Sequence, residues 1–415
     1  MTAPVLHDDE LLELTEEPSH SWLARVARLQ AMQIVLVLIV LVVIFGIMKP
    51  HNFITVNNWR NIIQNTSIYA VLGVGMTFVI ATAGIDLSIG SVLVFASVMS
   101  VKVMKWVAPA AVMGVVGVQG QPGYKPVDTG WACWWVSIAG MVAAVVCGIA
   151  WGWLNGFITA YMKVPPMIGT LGTLGMALGL ADVITDGTDL NTIPVGLNNS
   201  LGTGDAFSFR TINIFGGRDI TWKVPWMALA AAVVVIIGIF LLHRTKFGLH
   251  TFASGSNPES VRRAGINLNV HLVKVYTFNG MLAGFAGFLF IAFFGTTSIS
   301  GQTMTNLNII AGVVIGGTSL FGGFGSIFGT VIGLFIPTVL QNGLVIIRVQ
   351  AFWQQVFIGL ILVIVVWVDQ TRRTASQRGS SVTAYLFPHL AARMTSSAGA
   401  TPLGPPGGPP PPPIG

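Results

Sequence analysis

The chain has 415 residues, of which only 9% are Asp, Glu, Lys or Arg, against roughly 25% in an average soluble domain, and its mean hydropathy is +0.75. Charge-free gaps at 29–48, 61–85, 87–101, 129–162, 164–181, 224–243, 275–347 and 349–368 hold nearly all the apolar residues, and the longest, of 73 residues, has room for about three spans of about 20 residues each. This excludes a soluble core, a secreted domain, a single-anchor protein and a transmembrane barrel, whose mark is alternating segments of about ten residues, and leaves an all-α polytopic membrane protein.

In chain order, residues 1–31 open with an acidic cluster, Asp8, Asp9, Glu10, Glu13, Glu16 and Glu17, followed by Arg25 and Arg28. A signal peptide has a basic start and a small-residue cleavage site, and neither is present, so the first apolar run is expected to remain as a span. The gaps predict ten transmembrane helices, near 32–48, 62–82, 87–104, 132–152, 167–184, 224–242, 275–294, 305–321, 327–347 and 352–368. The membrane domain is thus 32–369, with its longest inner loop at 243–274. An even number of spans places both termini on one side. Assigning that side as cytoplasmic puts 12 Lys and Arg there against nine outside, with the inner charges gathered at span ends. The tail, 370–415, carries eight prolines from Pro402 to Pro413 and has the composition of a disordered, Pro/Gly-rich cytoplasmic extension.

The formal net charge of +6 comes from Lys and Arg scattered over short loops, with no basic run for a nucleic acid. Cys133 and Cys147 lie in one apolar stretch without metal-ligand spacing. No histidine occurs between His51 and His243, or between His271 and His389, which leaves most of the membrane region without the usual proton-relay or metal-binding side chain. No nucleophile, base and orienting group occur together, and an enzyme is not expected.

Three segments carry mechanism. Ala83, Gly84, Ile85, Asp86, Leu87, Ser88, Ile89, Gly90 and Ser91 join two apolar runs with almost no polar linker. A carboxylate there is tolerable as a helix cap in a polar break or as part of a substrate path, and both readings stand for Asp86. Gly84, Asp86, Leu87 and Gly90 match Gly317, Ser319, Leu320 and Gly323, a weak internal repeat of two glycine-broken segments, which is the pattern that marks a transport pathway. The second segment runs from Asn155 and Gly156 through Lys163, Pro165 and Pro166 to Gly169, Thr170, Gly172 and Thr173; the prolines end one helix and start another, and the small residues offer a packing face.

The third is the inner loop. Ser256 and Glu259 have capping-box spacing, Pro258 sits at a first-turn position, and Gly265 can close a helix in the left-handed conformation. A helix of about two turns is predicted, too short to stand alone, serving either as a contact for a cytoplasmic partner or as a connector on the headgroups.

The stretch 83–91, Asn155 with Gly156, the stretch 165–173, the loop 255–267, the run 316–326 and Trp353, Gln354 and Gln355 together resemble the permease subunits of ABC importers for ribose, xylose, galactose and related monosaccharides, over roughly 55–369. The chain departs from that pattern at Leu249, where arginine is common, at Phe324, where a charged or polar residue is frequent, and at Ile358, where lysine is frequent. The resemblance implies a homodimer in the plasma (inner) membrane, served by a cytoplasmic ABC ATPase and an extracytoplasmic sugar-binding protein. It makes Ser256, Asn257, Pro258, Glu259, Arg262, Arg263 and Gly265 the ATPase-coupling helix.

No glycine is followed by Lys and Ser or Thr in a phosphate-cradling loop, so ATP and Mg are expected on the partner and no cofactor on this chain. A neutral polyol suits a path of neutral polar groups, for which the candidates are Asn65, Thr66, Asn155, Thr170, Thr173, Asn306, Asn308, Gln341 and Asn342, with Asp86 beside them. The competing reading is an ion-coupled secondary transporter or a channel for a small neutral solute.

Overall fold

The computed structural model describes residues 30–108, 112–115, 130–211, 220–299, 304–350, 352–357, 359, 360 and 363. Apart from a short turn of helix at Val195–Leu197 that runs into a π-helix at Asn198–Gly202, the described helices are α1 (Gln30–Met48), α2 (Pro50–Phe53), α3 (Val56–Ala81), α4 (Ile89–Val107), α5 (Trp131–Ala160), α6 (Pro166–Thr185), α7 (Trp226–Arg244), α8 (Lys246–Ser256), α9 (Pro258–Arg263), α10 (Leu268–Phe294), α11 (Thr305–Ile315) and α12 (Ile327–Ile346). Among the described residues, seven of these are long and apolar enough to cross a membrane, and α1 and α11 supply two shorter apolar helices. Nine of the ten expected spans thus coincide with helices. The expected acidic extension, most of the tenth span and the Pro-rich tail lie outside the described residues.

Helix starts follow local chemistry. Thr55, Asn267 and Ser326 cap α3, α10 and α12 by accepting from the amides of Asn58, Val270 and Gly329, and Pro166 opens α6 where its missing donor costs nothing. Four spans differ from expectation at one end: α3 starts at Val56 and not near 62, and α5 runs on to Ala160 and not to about 152. Helix α10 starts at Leu268 and not near 275, because His271 and Lys274 are carried inside a continuous capped helix. Helix α11 stops at Ile315 and not near 321, where the glycine-rich break begins.

The bundle centres on α3 and α10. In the apolar window of α3, 83% of residues are buried, against 22% in α6 and in α7, whose Leu229, Val233, Ile236 and Phe240 are exposed. An apolar helix with an outward apolar face has lipid as its solvent. Helix α10 packs on α5, α3 and α4. Its crossing with α5 is a backbone contact: a Cβ on Gly148 would strike the carbonyl of Gly280 and lie 2.8 Å from the amide of Gly284, and one on Gly152 would lie 2.9 Å from the Cα of Thr277. In lipid, where apolar burial drives little, backbone approach of this kind is a main source of helix association.

The small-residue face expected in the 165–173 stretch behaves otherwise. Gly169 meets Ile158, but Gly172, Gly175 and Gly179 have no neighbouring atom within 4 Å of a Cβ position.

Among the described residues, two antiparallel strand pairs, the first joining distant segments and the second a hairpin, both unexpected in the all-α reading, cover one end of the bundle. Strand β1 (Met113–Val115) pairs with β2 (Thr192–Pro194), and β3 (Asp205–Thr211) pairs with β4 (Ile220–Pro225). Asp205 holds the hairpin to α3 through Arg60 at 2.7 Å and to its own β4 through Lys223 at 3.4 Å.

Candidate translocation path and coupling element

Both glycine-broken segments are non-helical breaks, and both begin alike. After α3, Ala83 takes φ 61°, with Ala83 N donating to Ile80 O and Gly84 N to Val79 O. After α11, Gly317 takes φ 94°, with Gly317 N donating to Val314 O and Thr318 N to Val313 O. This is the closing pattern of a left-handed helix end. It aligns Ala83 with Gly317, one residue off the sequence match of Gly84 with Gly317, because alanine occupies the positive-φ position in the first break.

Asp86 lies at the centre of the first break and is buried. Its Oδ1 accepts from Ser88 N at 2.8 Å and Ser88 Oγ at 2.6 Å, and its Oδ2 accepts from Asn279 Nδ2 at 2.8 Å. Asn155 Nδ2 donates to Ser88 Oγ at 2.7 Å, and Thr173 Oγ donates to Asn155 Oδ1 at 2.6 Å. Thr170 Oγ accepts from Leu87 N at 3.0 Å. From Thr173 through Asn155 and Ser88 each donor points toward the carboxylate, an order in which successive bonds polarise one another. Sequence reasoning singled out Asp86, Asn155, Thr170 and Thr173, and the fold brings all four together. It missed Ser88 and Asn279, whose partners are 67 and 193 residues away. The network ties the start of α4 to α5, α6 and α10.

The other candidates divide. Asn65 of α3, Asn308 of α11 and Gln341 and Asn342 of α12 line a cavity of about 310 Å³, together with Tyr69, Thr305 and Thr338. No lining residue is charged. Among the described residues, the Oδ1 atoms of Asn308 and Asn342 are buried without a hydrogen-bond partner, so the cavity presents acceptors whose cost of burial a hydroxyl-bearing ligand would relieve. Its volume is at the small end for ligand sites.

Asn306, two residues from Asn308, points elsewhere and accepts from Gly90 N at 2.5 Å, joining α11 to the start of α4. Thr66 lines a separate, largely apolar groove with Ala228, Ala231 and Phe328. The 310 Å³ cavity forms at the starts of α3 and α11 and the ends of α10 and α12, the end of the bundle opposite the breaks.

At the break end lies the inner loop. It holds two helices where one was expected, and the capping assignment changes. Ser256 is the last residue of α8; Asn257 caps α9, its Oδ1 accepting from Ser260 N at 3.0 Å. Asparagine already satisfies the first-turn donor, so the Ser256–Glu259 box does not form. Pro258 opens α9, Val261 is its buried anchor, and Gly265 closes it at φ 78°. Glu259 pairs with Arg263 at 3.3 Å on the exposed face, a contact of small energetic weight, and Arg262 is also exposed. Lys163, Arg262 and the turn 265–269 enclose a basic hollow of about 490 Å³ beside α9. Among the described residues, no three His, Cys, Asp or Glu side chains gather where a metal ion could be held.

A neutral polar cavity at one end, an exposed amphiphilic short helix at the other and two broken helices between them are the parts of a carrier, and comparison with known proteins places the chain among carriers. The family model described as branched-chain amino acid transport system / permease component matches residues 58–366. The ribose import permease protein of Escherichia coli (strain K12) is 33% identical over 322 residues, covering 78% of this chain and 88% of the relative. The xylose transport system permease protein of Haemophilus influenzae is 29% identical over 376 residues (79% and 93%), and the fructose import permease protein of Rhizobium meliloti is 30% identical over 364 residues (88% and 90%). No solved structure matches the chain. With the family model spanning both breaks, the cavity and the inner loop, the chain belongs to the branched-chain amino acid transport system / permease component family.

Proposed function

We propose that the chain is the membrane-spanning permease subunit of an ATP-binding-cassette importer, moving a monosaccharide or related polyol inward across the plasma membrane by alternating access, with ATP and Mg handled by a separate ATPase subunit. The observation that carries the substrate class is the cavity lining. A lining of Asn, Gln, Thr and Tyr, with the Oδ1 atoms of Asn308 and Asn342 unfilled among the described residues, suits a ligand made of hydroxyl groups and supplies no charge to balance an ionic one. The relatives named for ribose, xylose and fructose support the same class.

Proton coupling through a carboxylate would need an acidic side chain free to exchange its proton along the path. Asp86 is engaged on both oxygens by protein donors and does not line the cavity.

In this reading the termini and α9 are cytoplasmic, and the hairpin end faces outward to receive a sugar-binding protein. A second copy of the chain completes the pore. Helix α9, with Asn257, Pro258, Glu259, Arg262, Arg263 and Gly265, is the element that docks on the ATPase. Replacing Glu259→Lys together with Arg262→Glu tests the assignment, because both side chains are exposed and neither supports the bundle. The expected result is loss of ATPase co-purification with membrane insertion intact; unchanged co-purification refutes the docking role.

A further inference from the structure

Three segments distant in sequence meet without side chains between them. Gly323 N, in the second break, donates to Ala81 O at the end of α3 at 2.9 Å. A Cβ on Gly255, in the last turn of α8, would strike Ala81 O and lie 2.6 Å from Gly323 N and 3.0 Å from the Cα of Gly322. A Cβ on Gly322 would lie 2.7 Å from Ala83 N and 2.9 Å from the Cα of Gly255, and Ser256 Oγ packs on Gly323. Gly322 and Gly323 hold φ 79° and 77°. The first break, the second break and the inner loop therefore touch backbone to backbone.

Such a joint transmits displacement differently from an ordinary core contact. Where side chains intervene, a shift of a few tenths of an ångström is absorbed by rotamer changes. Here nothing between Gly255, Ala81 and Gly322 can rotate, and interiors at close-packed density pass strain on.

What lies beyond the joint is also fixed. The first break carries Asp86, whose network grips α4, α5, α6 and α10. The second break joins α11 to α12, which supply Thr305, Asn308, Thr338, Gln341 and Asn342 to the cavity. Thr77 of α3 and Thr330 of α12 share a hydrogen bond of 2.8 Å on the same route.

We infer that Gly255, Gly322 and Gly323 are positioning residues that make the two breaks and the inner loop a single rigid relay, so that movement imposed on α9 is delivered to both broken helices at once. The inference rests on the importer reading above, since it is the ATPase that would move α9. It goes beyond docking, because it names the point where docking becomes a change at the cavity and requires that point not to flex.

The test uses the full chain reconstituted with its ATPase and binding protein. Ser256→Cys combined with Gly323→Cys places two thiols across the joint, where a Cβ on Gly323 would lie 3.3 Å from the Cβ of Ser256, near the roughly 3.5–4.5 Å of a disulfide. The cysteine at Gly323 is itself a wedge and is expected to lower uptake, so the reading is the uptake that remains above the ATP-free background: a rigid relay predicts that oxidation forms the bridge and leaves that remaining uptake the same before and after reduction. Failure of the bridge to form, or uptake blocked by oxidation and restored by dithiothreitol, overturns the proposal, since either means the segments part during the cycle.

A wedge provides the converse. Gly255→Ala should lower uptake by on the order of tenfold or more while the ATPase still co-purifies, whereas unchanged uptake in the folded variant overturns the relay. If Gly255→Ala does not fold, the bridge decides alone. Failure of the importer reading is distinct from all of these: the unsubstituted chain would then neither hold the ATPase nor import with ATP.

Discussion

Replacing Asp86 separates a structural carboxylate from one used in transport. Asp86→Ala removes the acceptor for Ser88 N, Ser88 Oγ and Asn279 Nδ2, three bonds of 2.6–2.8 Å in a buried site. The Ser88 hydroxyl can rotate to another acceptor, but Ser88 N and Asn279 Nδ2 are left as buried donors at about 1–3 kcal/mol each, so the expected loss is about 2–6 kcal/mol.

Asp86→Asn should behave differently. Its carbonyl oxygen can keep both Ser88 bonds, and its new NH2 group faces Asn279. The Oδ1 of Asn279 is buried without a partner, so a flip of that amide restores the third bond. The remaining cost is the lost charge at the start of α4, about 0.3–1 kcal/mol, offset by no longer burying a carboxylate. Thermal unfolding in detergent and uptake in proteoliposomes measure the two effects together. Asn should be close to the unsubstituted chain in both assays and Ala impaired in both. An Asn variant that is stable yet as inactive as Ala would refute the reasoning, because it would mean that the charge itself takes part in transport.

Three further outcomes follow from the same geometry. Gly148→Ala inserts a methyl group into the α5–α10 backbone contact and should destabilise by about 1–3 kcal/mol, while Gly175→Ala, on the open face of α6, should be neutral or better; unfolding temperatures in detergent rank them. Asn257→Ala removes the α9 cap and should cost about 0.5–2 kcal/mol locally, read as faster amide exchange across Pro258–Arg263, whereas Ser256→Ala should leave that exchange unchanged. Asn308→Leu and Asn342→Leu fill the cavity with apolar groups and remove its free acceptors; they should depress sugar uptake with no loss of unfolding temperature, and a parallel fall in both would indicate a packing role.

Nine of the spans were legible because hydropathy reports directly on helices that must satisfy their backbone internally. Asp86, Asn155, Thr170 and Thr173 were legible as polar exceptions in apolar runs, and three of the cavity asparagines likewise. Their grouping was not. Asn306 and Asn308 are two residues apart on one helix yet serve a helix joint and the cavity, a distinction set by helix rotation, which composition does not encode.

The tight crossing was written in Gly148, Gly152 and Gly156 at four-residue spacing, a signal overshadowed by the glycines of α6, of which Gly172, Gly175 and Gly179 meet nothing among the described residues. Ser256 for Asn257 was a choice between adjacent capping residues, settled by which backbone the preceding helix α8 consumed. The strand pairs were missed because short strands between spans give only a few alternating residues, too few for a periodic signal.

The central claim is that a separate ATPase drives this chain to import a neutral sugar. The most direct measurement is uptake of labelled ribose, xylose and fructose into proteoliposomes holding the chain with its ATPase, the binding protein outside and ATP within. The account predicts uptake of at least one of them that requires all three components and ATP and ignores the proton and sodium gradients. Uptake by the chain alone, driven by either gradient, would contradict it.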